Sequence, residues 1–418
     1  MNRREFMKAA GYAGLSLMTP FGLRTAQAQS SGYDGLFFIL VNAGGGWDPT
    51  SFCDPKGRKD ENEMNPMNMY LTDDILTAGN LNFAPVPGVQ TFFEKHYNRL
   101  LVVNGIDTST NGHDSGSRHT WSGELGEGYP SFSALVAAGL GADRPLSFMS
   151  FGGYDNTQGI VAPTRTGNVG ALERIAFPNR IDPSNENSLY HSGETQQRIQ
   201  RALAERTAKK MTQETLSVRK HALNSLVLAR AGENDIARIT EFLPDLDNSN
   251  NALRRQAQLA IAAYKAGVCV SANLNVGGFD THGDHDNRHF ARLTTYFEGV
   301  DFLLEEAERQ GVADKVVVAM GSDFGRTPGY NAQNGKDHWS ITSMMFAGSG
   351  IRGNRVVGAS TERHRPLKVN PETLALDESG VRITPAHVHA SLRKLAGIES
   401  SELAQRYPIR VEDMPLFT

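Results

Sequence analysis

The sequence predicts an α/β fold in which a mostly parallel β-sheet is covered by helices on both faces. Several short β-branched or apolar runs are typical of buried parallel strands. Helical patterns lie between them, and alternation of strands with helices favours an open parallel sheet. With 418 residues, the chain is long enough for one large domain of this kind or for two ordinary ones.

Six runs carry the strand prediction, and one run carries the clearest helix prediction. The strands are expected at 35–43, 99–106, 146–152, 267–275, 315–322 and 342–348. The helix is expected from about His289 to Gln310. There, apolar residues recur at steps of three and four and form one apolar face, namely Leu293, Phe297, Val300, Leu304 and Ala307.

Residues 186–265 differ from the rest of the chain. They are long, charged and rich in helix-forming residues. We expect an all-helical insertion or cap, packed on a main domain that spans residues 29–418.

The N-terminal 28 residues predict a twin-arginine signal peptide. Arg3 and Arg4 precede a moderately apolar run, and Ala26-Gln27-Ala28 forms a small-residue cleavage site. An amphipathic helix or a membrane anchor is the alternative, but the run is short and glycine-rich for a bilayer span. We therefore expect export by the twin-arginine pathway to a periplasmic or secreted location, and no integral membrane segment in the mature form.

Charge argues against a nucleic-acid partner. Removal of residues 1–28 takes away four basic and one acidic side chain, which leaves 38 basic and 45 acidic residues and a net charge of −7. Proteins that bind nucleic acid carry a basic surface instead. The oligomeric state does not follow from the sequence.

Asp and His residues follow four of the predicted strands. The carboxyl ends of parallel strands share one edge of a sheet, where such folds bind their ligands. Asp and His together, without Cys, suit Zn²⁺, and Mn²⁺ or Ca²⁺ to some degree. Taken singly, such an Asp is usually a helix cap and such a His is usually solvated. The post-strand residues are Asp48, Asp107, His113, Asp114, His119, Asp280, His282, Asp284, His285, Asp323, Asp337 and His338.

Three blocks carry a resemblance to a known family. They are "NAGGGWD" at 42–48, "GGFDTHGDHD" at 277–286 and "SDFGRTPGYNAQNGKDHWS" at 322–340. Together with "FAGSGIRGNRVVG" at 346–358 and the twin-arginine signal, they resemble an exported family of unknown function within the alkaline-phosphatase and sulfatase superfamily. The resemblance implies a three-layer α/β/α sandwich with a two-metal site.

The resemblance also implies roles for particular residues. The metal ligands would be Asp48, Asp280, His282, Asp323 and His338. His285 is an alternative to His282. Ser117 would be the nucleophile, with Ser115, Thr120 and Ser122 as alternatives. Arg326 or Arg118 could bind the non-bridging ester oxygens, and Arg326 could instead serve as a structural ion-pair partner. His119, like His113, could be a ligand or a general acid. A sulfatase-type nucleophile would instead be Cys53, in "CDPKGR".

The predicted function is metal-dependent hydrolysis of a phosphate or sulfate ester, on a small molecule or a component of the cell envelope. The alternative is a non-catalytic, metal-stabilised binding or assembly protein of the envelope. A glycosidase with paired carboxylates is disfavoured, because that chemistry needs only two acids and gives no reason for so many histidines.

Overall fold

The computed structural model describes residues 32–417, apart from 143, 166–173, 175–176, 183–184, 221–222 and 224–237. Its main sheet has eight strands, numbered in chain order. Their spatial order is β12 (Arg355–Val357), β4 (Leu100–Asp107), β11 (Ile341–Gly348), β8 (Val316–Ser322), β1 (Phe37–Gly44), β7 (Ser271–Gly277), β5 (Phe148–Ser150) and β6 (Pro163–Thr164). The predicted signal peptide, residues 1–28, lies outside the described residues.

The sheet is mostly parallel, as predicted. Only β11 runs antiparallel to its two neighbours among the described strands, and the other pairings are parallel. All six predicted strand runs are found in this sheet. The two additional strands, β6 and β12, lie at its edges.

The remaining strands form three small two-stranded sheets. These pair β2 (Leu76–Ala78) with β3 (Leu81–Phe83), β9 (Gly325–Arg326) with β10 (His338–Trp339), and β13 (Lys368–Val369) with β14 (Val381–Arg382). The described helices are α1 (Pro87–His96), α2 (His113–Ser122), α3 (Phe132–Leu140), α4 (Gly193–Gln213), α5 (Ile239–Phe242), α6 (Ala252–Lys265), α7 (His285–Arg309), α8 (Pro385–Leu395) and α9 (Glu402–Arg406). None of these helices has both the length and the hydropathy that crossing a bilayer requires.

Helices cover both faces of the sheet, so the fold is a three-layer α/β/α sandwich. Alternate side chains of a strand point to opposite faces. Phe37, Ile39 and Val41 of β1 pack in one core with α1, α6 and α7. Phe38 and Leu40 pack in a second core with α3 and α8.

The predicted helical insertion, residues 186–265, contains helices of two kinds. Helix α4 is exposed along most of its length, and Thr207 is its one buried residue among those described. Helix α6, by contrast, buries Leu253, Leu259 and Ile261 in the core and packs against β7 and α7. The described part of this segment therefore includes a helix of the main sandwich, and the bounds of a separate cap remain a prediction.

Candidate metal centre

Three chain segments meet at the carboxyl edge of the main sheet. They follow β4, β7 and β8, which all run in the same direction. Strands β4 and β8 are both antiparallel to β11, and β7 and β8 are both parallel to β1. Helix α2, which begins after β4, lies directly against the end of β8. A Cβ atom at Gly116 would lie only 2.4 Å from the carbonyl oxygen of Asp323, so this approach requires glycine. The three segments thereby bring their polar residues together.

Four side chains converge there. His113, Asp280 and His338 offer ligand atoms that all lie within 4.8 Å of one another. His338 Nε2 is 3.1 Å from Asp280 Oδ1, and His113 Nε2 is 3.6 Å from Asp280 Oδ2. His282 joins them, because its Nε2 lies 3.0 Å from both Asp280 Oδ1 and His338 Nε2. We call these four residues the His₃Asp group.

The opposite nitrogen of each of the three rings contacts an oxygen. His113 Nδ1 lies 2.9 Å from Asp323 Oδ2, and His282 Nδ1 lies 2.7 Å from Asp337 Oδ1. His338 Nδ1 lies 2.8 Å from the carbonyl oxygen of Asn111, which can only accept a hydrogen bond. A neutral imidazole that donates from Nδ1 keeps a lone pair on Nε2. In these tautomers all three Nε2 lone pairs are available on the side of Asp280.

The charges of the group are set by its contacts. Partial burial opposes ionisation of Asp280, but the hydrogen bond from Arg326 and the close approach of His338 lower the pKa of its carboxyl to about 2. The hydrogen bond to Asp323 raises the pKa of His113 because the carboxylate stabilises the imidazolium form. Asp280 is therefore a carboxylate at neutral pH, as a metal ligand must be.

The group fits a divalent cation. Two Nε2 atoms that both carry lone pairs repel each other at the 3.0 Å observed between His282 and His338, unless a cation lies near both. Imidazole nitrogens bind Zn²⁺ at about 2.0–2.1 Å, and each ligating ring usually donates its other N–H to an oxygen. In addition, Asp323 Oδ1 is buried beside the group without a hydrogen-bond partner among the described residues. The donor set and the tethered rings both match a metal site.

Asp323 lies next to the group. Its Oδ2 atom contacts His113 Nδ1 and accepts a hydrogen bond from the backbone N–H of Gly45 at 3.1 Å. The contacts therefore orient His113 through Asp323, while Oδ1 has no hydrogen-bond partner among the described residues and could serve as the ligand atom that the resemblance implies.

Asp48 lies elsewhere, although the resemblance implies that it is a ligand. Its side chain is fully buried. Asp48 Oδ1 accepts hydrogen bonds from the N–H and hydroxyl of Thr50, at 3.0 and 2.6 Å. Asp48 Oδ2 accepts from the hydroxyl of Ser51 at 3.0 Å and pairs with the ammonium of Lys336. The carboxylate is thus already satisfied by protein donors, and a metal role for Asp48 does not fit this geometry.

His285 belongs to the same buried surroundings as Asp48. Its Nε2 atom lies 3.3 Å from Asp48 Oδ2, and its Nδ1 atom lies 2.7 Å from the hydroxyl of Thr281. Burial lowers the pKa of His285. Of the two rival histidines, His282 lies in the His₃Asp group and His285 does not.

Arg326 has a structural set of contacts. The side chain is fully buried, with Nε donating to the carbonyl of Gly46 at 2.8 Å and Nη1 to that of Lys336 at 2.9 Å. Nη2 donates to the carbonyl of Gly45 and, at 2.7 Å, to Asp280 Oδ1. The geometry favours the ion-pair interpretation of Arg326, because its donors hold the glycine-rich turn and Asp280 in place.

The two other predicted catalytic residues lie on α2. His119 is buried, its Nδ1 lies 2.8 Å from the carbonyl of Thr108, and burial lowers its pKa. Ser117 is partly buried one helical turn after His113. Within the described residues, no hydrogen bond or ion pair links either side chain to the His₃Asp group. The alternative nucleophile Cys53 is buried in the hydrophobic core, and burial raises the pKa of its thiol.

Sequence reasoning underrated His113 and Lys336. The sequence could have indicated His113 through helical spacing. His113, Gly116 and Thr120 lie three and four residues apart, and they share the helix face that meets the end of β8. Lys336 lies between two recognised motif residues, but its partner Asp48 is 288 residues away in the chain.

Comparison with solved structures gives matches at low sequence identity and with TM-scores below 0.5. The lipoteichoic acid synthase LtaP from Listeria monocytogenes is 9% identical, with a TM-score of 0.41, over 92% of this chain and 76% of that one. The alkaline phosphatase TAB5, solved as a His-to-Glu mutant with Mg bound, is 10% identical, with a TM-score of 0.34, over 78% of this chain and 94% of that one. The 2-O GAG sulfatase BT1596 is 11% identical, with a TM-score of 0.34, over 89% and 73%.

Those likenesses do not assign a reaction. No curated protein matches the sequence. A family match, however, spans residues 38–408, which is most of the chain, and its description is "Protein of unknown function (DUF1501)". The chain therefore belongs to the DUF1501 family.

Proposed function

We propose that this protein is a metal-dependent hydrolase of phosphate or sulfate esters. The observation that carries the proposal is the convergence of three tethered imidazole Nε2 atoms on the carboxylate of Asp280 at the carboxyl edge of the sheet. The ester class comes from the resemblance of the motif blocks to the alkaline-phosphatase and sulfatase superfamily.

Zn²⁺ is the metal that this donor set favours. Three imidazoles and one carboxylate suit Zn²⁺, and Mn²⁺ is the next choice, whereas Ca²⁺ prefers oxygen ligands. A divalent cation held by the His₃Asp group would supply Lewis-acid polarisation of an ester oxygen.

The surrounding residues keep this group in position and open to a substrate. Arg326 holds Asp280 through a hydrogen bond. Asp323 orients the His113 ring, and Asp337 orients the His282 ring. The side chains of His113, Asp280 and His282 are each more than two-fifths exposed, so a solvent-borne ester can reach them.

Ser117 is the proposed nucleophile. It lies one helical turn after His113 and is partly buried. The Oγ atom would bond to the phosphorus or sulfur as the bond to the ester alcohol breaks, and the proton lost from the serine hydroxyl would end on the departing alcohol. Water would then release the acid and regenerate the hydroxyl.

A second candidate function is a metal-stabilised binding or assembly protein of the cell envelope. It is favoured by the geometry of α2, where no hydrogen bond or ion pair among the described residues joins Ser117 or His119 to the His₃Asp group. The metal would then hold the three segments together without turnover.

One set of variants separates the two functions. Turnover of aryl phosphate and aryl sulfate esters would be measured on purified protein loaded with Zn²⁺ or Mn²⁺, together with His338→Ala, Ser117→Ala and the matched control Ser115→Ala. Hydrolysis predicts loss of metal and turnover in His338→Ala, a loss of turnover of about 100-fold or more with metal retained in Ser117→Ala, and little change in Ser115→Ala. A metal-loaded wild type that hydrolyses neither ester would favour the binding role.

The proposed site of action is outside the cytoplasm, on a small molecule or an envelope component that carries the ester. Twin-arginine export rests on Arg3 and Arg4. An Arg3→Lys, Arg4→Lys double variant should therefore accumulate in the cytoplasm with residues 1–28 still attached, as fractionation and mass spectrometry would show. Normal export of that variant would contradict this route.

A further inference from the structure

Asp48, in the turn after β1, has different surroundings from those that a metal ligand in a two-metal site requires. The resemblance implies that Asp48 helps to bind one of two cations. In the structure, Asp48 and the ammonium of Lys336 form an ion pair in which both side chains are fully buried. Four protein donors already bond to the carboxylate, from the N–H and hydroxyl of Thr50, the hydroxyl of Ser51 and the ammonium.

The surroundings of Lys336 form a complete cation site. Besides Asp48, the ammonium donates to Asn68 Oδ1 at 2.9 Å and lies 5.1 Å from the centre of the Tyr330 ring. Burial alone would raise the pKa of Asp48, but Lys336 and His285 instead hold it well below its usual range. A buried carboxylate and a buried ammonium each need a partner of opposite charge, and here each provides it for the other.

This pair is joined to the metal centre through the main chain. The carbonyl of Lys336 accepts a hydrogen bond from Arg326 Nη1 at 2.9 Å, and Arg326 also binds Asp280. The next residue, Asp337, tethers His282. The ion pair is therefore joined directly to Arg326 and Asp337, the residues that orient Asp280 and His282.

We infer that the ammonium of Lys336 takes the place of the second cation, so that the chain holds one divalent ion and Asp48 binds none. The inference rests on the proposed function for the His₃Asp group, where that ion is held. Lys336 and Asp48 then form a structural ion pair inside the fold and do not bind metal.

The test measures two properties of the same variants: the metal content, and the effect of each substitution on the melting temperature. Asp48→Asn, Lys336→Met and the Asp48→Asn, Lys336→Met double variant would be purified without chelators, equilibrated with Zn²⁺ and desalted. Metal per chain would be measured by plasma mass spectrometry, and melting temperature by calorimetry. His338→Ala serves as the control that removes a proposed ligand.

We expect about one Zn²⁺ per chain in the wild type and in the double variant, and far less in His338→Ala. Each single variant should melt well below the wild type because it leaves one buried charge unpaired, and the double variant should recover most of that loss. Two ions in the wild type with one fewer in the double variant would overturn the inference.

Failure of the proposed function would look different. An absence of ester turnover leaves the metal count unaffected and bears only on the reaction. If no variant binds metal, the metal centre is contradicted. The melting temperatures still test the ion pair. The ion pair is contradicted if the double variant loses as much as the two single variants together.

Discussion

At the scale of single residues, the centre depends on the orientation of three imidazole rings. Each ring is held by a different acceptor: Asp323, Asp337 or the carbonyl of Asn111. The resemblance named Asp280, His282 and His338, and the structure brings these three together. The resemblance could not distinguish these three residues from Asp48 and His285, because all five follow strands of the same sheet. Only the side-chain contacts show that Asp48 and His285 already have protein partners.

Asp323 is expected to control metal affinity through His113. Replacing it in Asp323→Ala removes the oxygen that contacts His113 Nδ1, so the ring loses its fixed tautomer and orientation. The metal dissociation constant should rise about 10–100-fold, measured by competition with a chromophoric chelator. Asp314→Ala is the matched control, since Asp314 is exposed before the start of β8, at the opposite edge of the sheet. Equal affinities in the two variants would contradict this role of Asp323.

At the scale of elements, the sequence predicted the regular parts of the fold best. Buried parallel strands are continuous apolar runs, and all six such runs form strands of the main sheet. Strands β6 and β12, with two and three residues, are too short to leave a pattern. Helix α7 begins at His285, before the His289 that the apolar repeat indicates, because its first turn carries polar residues.

The two motif loops after β7 and β8 are held together by their backbones. The N–H of His285 donates to the carbonyl of Asn334 at 2.8 Å, and the N–H of Lys336 donates to that of Thr281 at 3.1 Å. A Cβ atom at Gly335 would lie 1.9 Å from the carbonyl of His282. Glycine is therefore required for this approach.

Gly335→Ala should separate the two loops and displace His282 and His338 from each other. We expect weaker metal binding and a loss of about 1–3 kcal/mol in the free energy of unfolding, measured by metal titration and urea unfolding. Gly329→Ala is the control in the same loop, because a Cβ atom there meets nothing within 4 Å. A Gly335→Ala protein with wild-type metal affinity would rule out this loop pairing.

At the scale of the whole molecule, the three-layer sandwich was predictable and its histidine chemistry was not. The alternation of strands and helices requires helices on both faces. Many histidines, however, serve the packing rather than the site, and burial lowers the pKa of seven of them: His96, His119, His285, His289, His364, His387 and His389. The sequence cannot distinguish a buried histidine from a ligand.

These buried histidines predict that acid destabilises the protein. A lowered folded-state pKa means that the unfolded chain binds more protons below pH 6.5, so stability falls as the pH decreases from there towards the folded-state pKa, which is about 3 for His389. Each such group contributes up to about 1.4 kcal/mol per pH unit in that window. Urea midpoints should drop steadily from pH 7 to pH 5, and less steeply in His389→Gln. A midpoint that is constant over this range would contradict the prediction.

Metal content tests the central claim most directly. Wild-type protein purified without chelators would be compared with an Asp280→Ala, His282→Ala double variant, with folding checked by circular dichroism and metals counted by plasma mass spectrometry. We expect about one divalent ion per wild-type chain, of the kind that imidazole and carboxylate ligands bind, and almost none in the folded variant. A folded wild type without metal, or a variant that keeps the full amount, would contradict it.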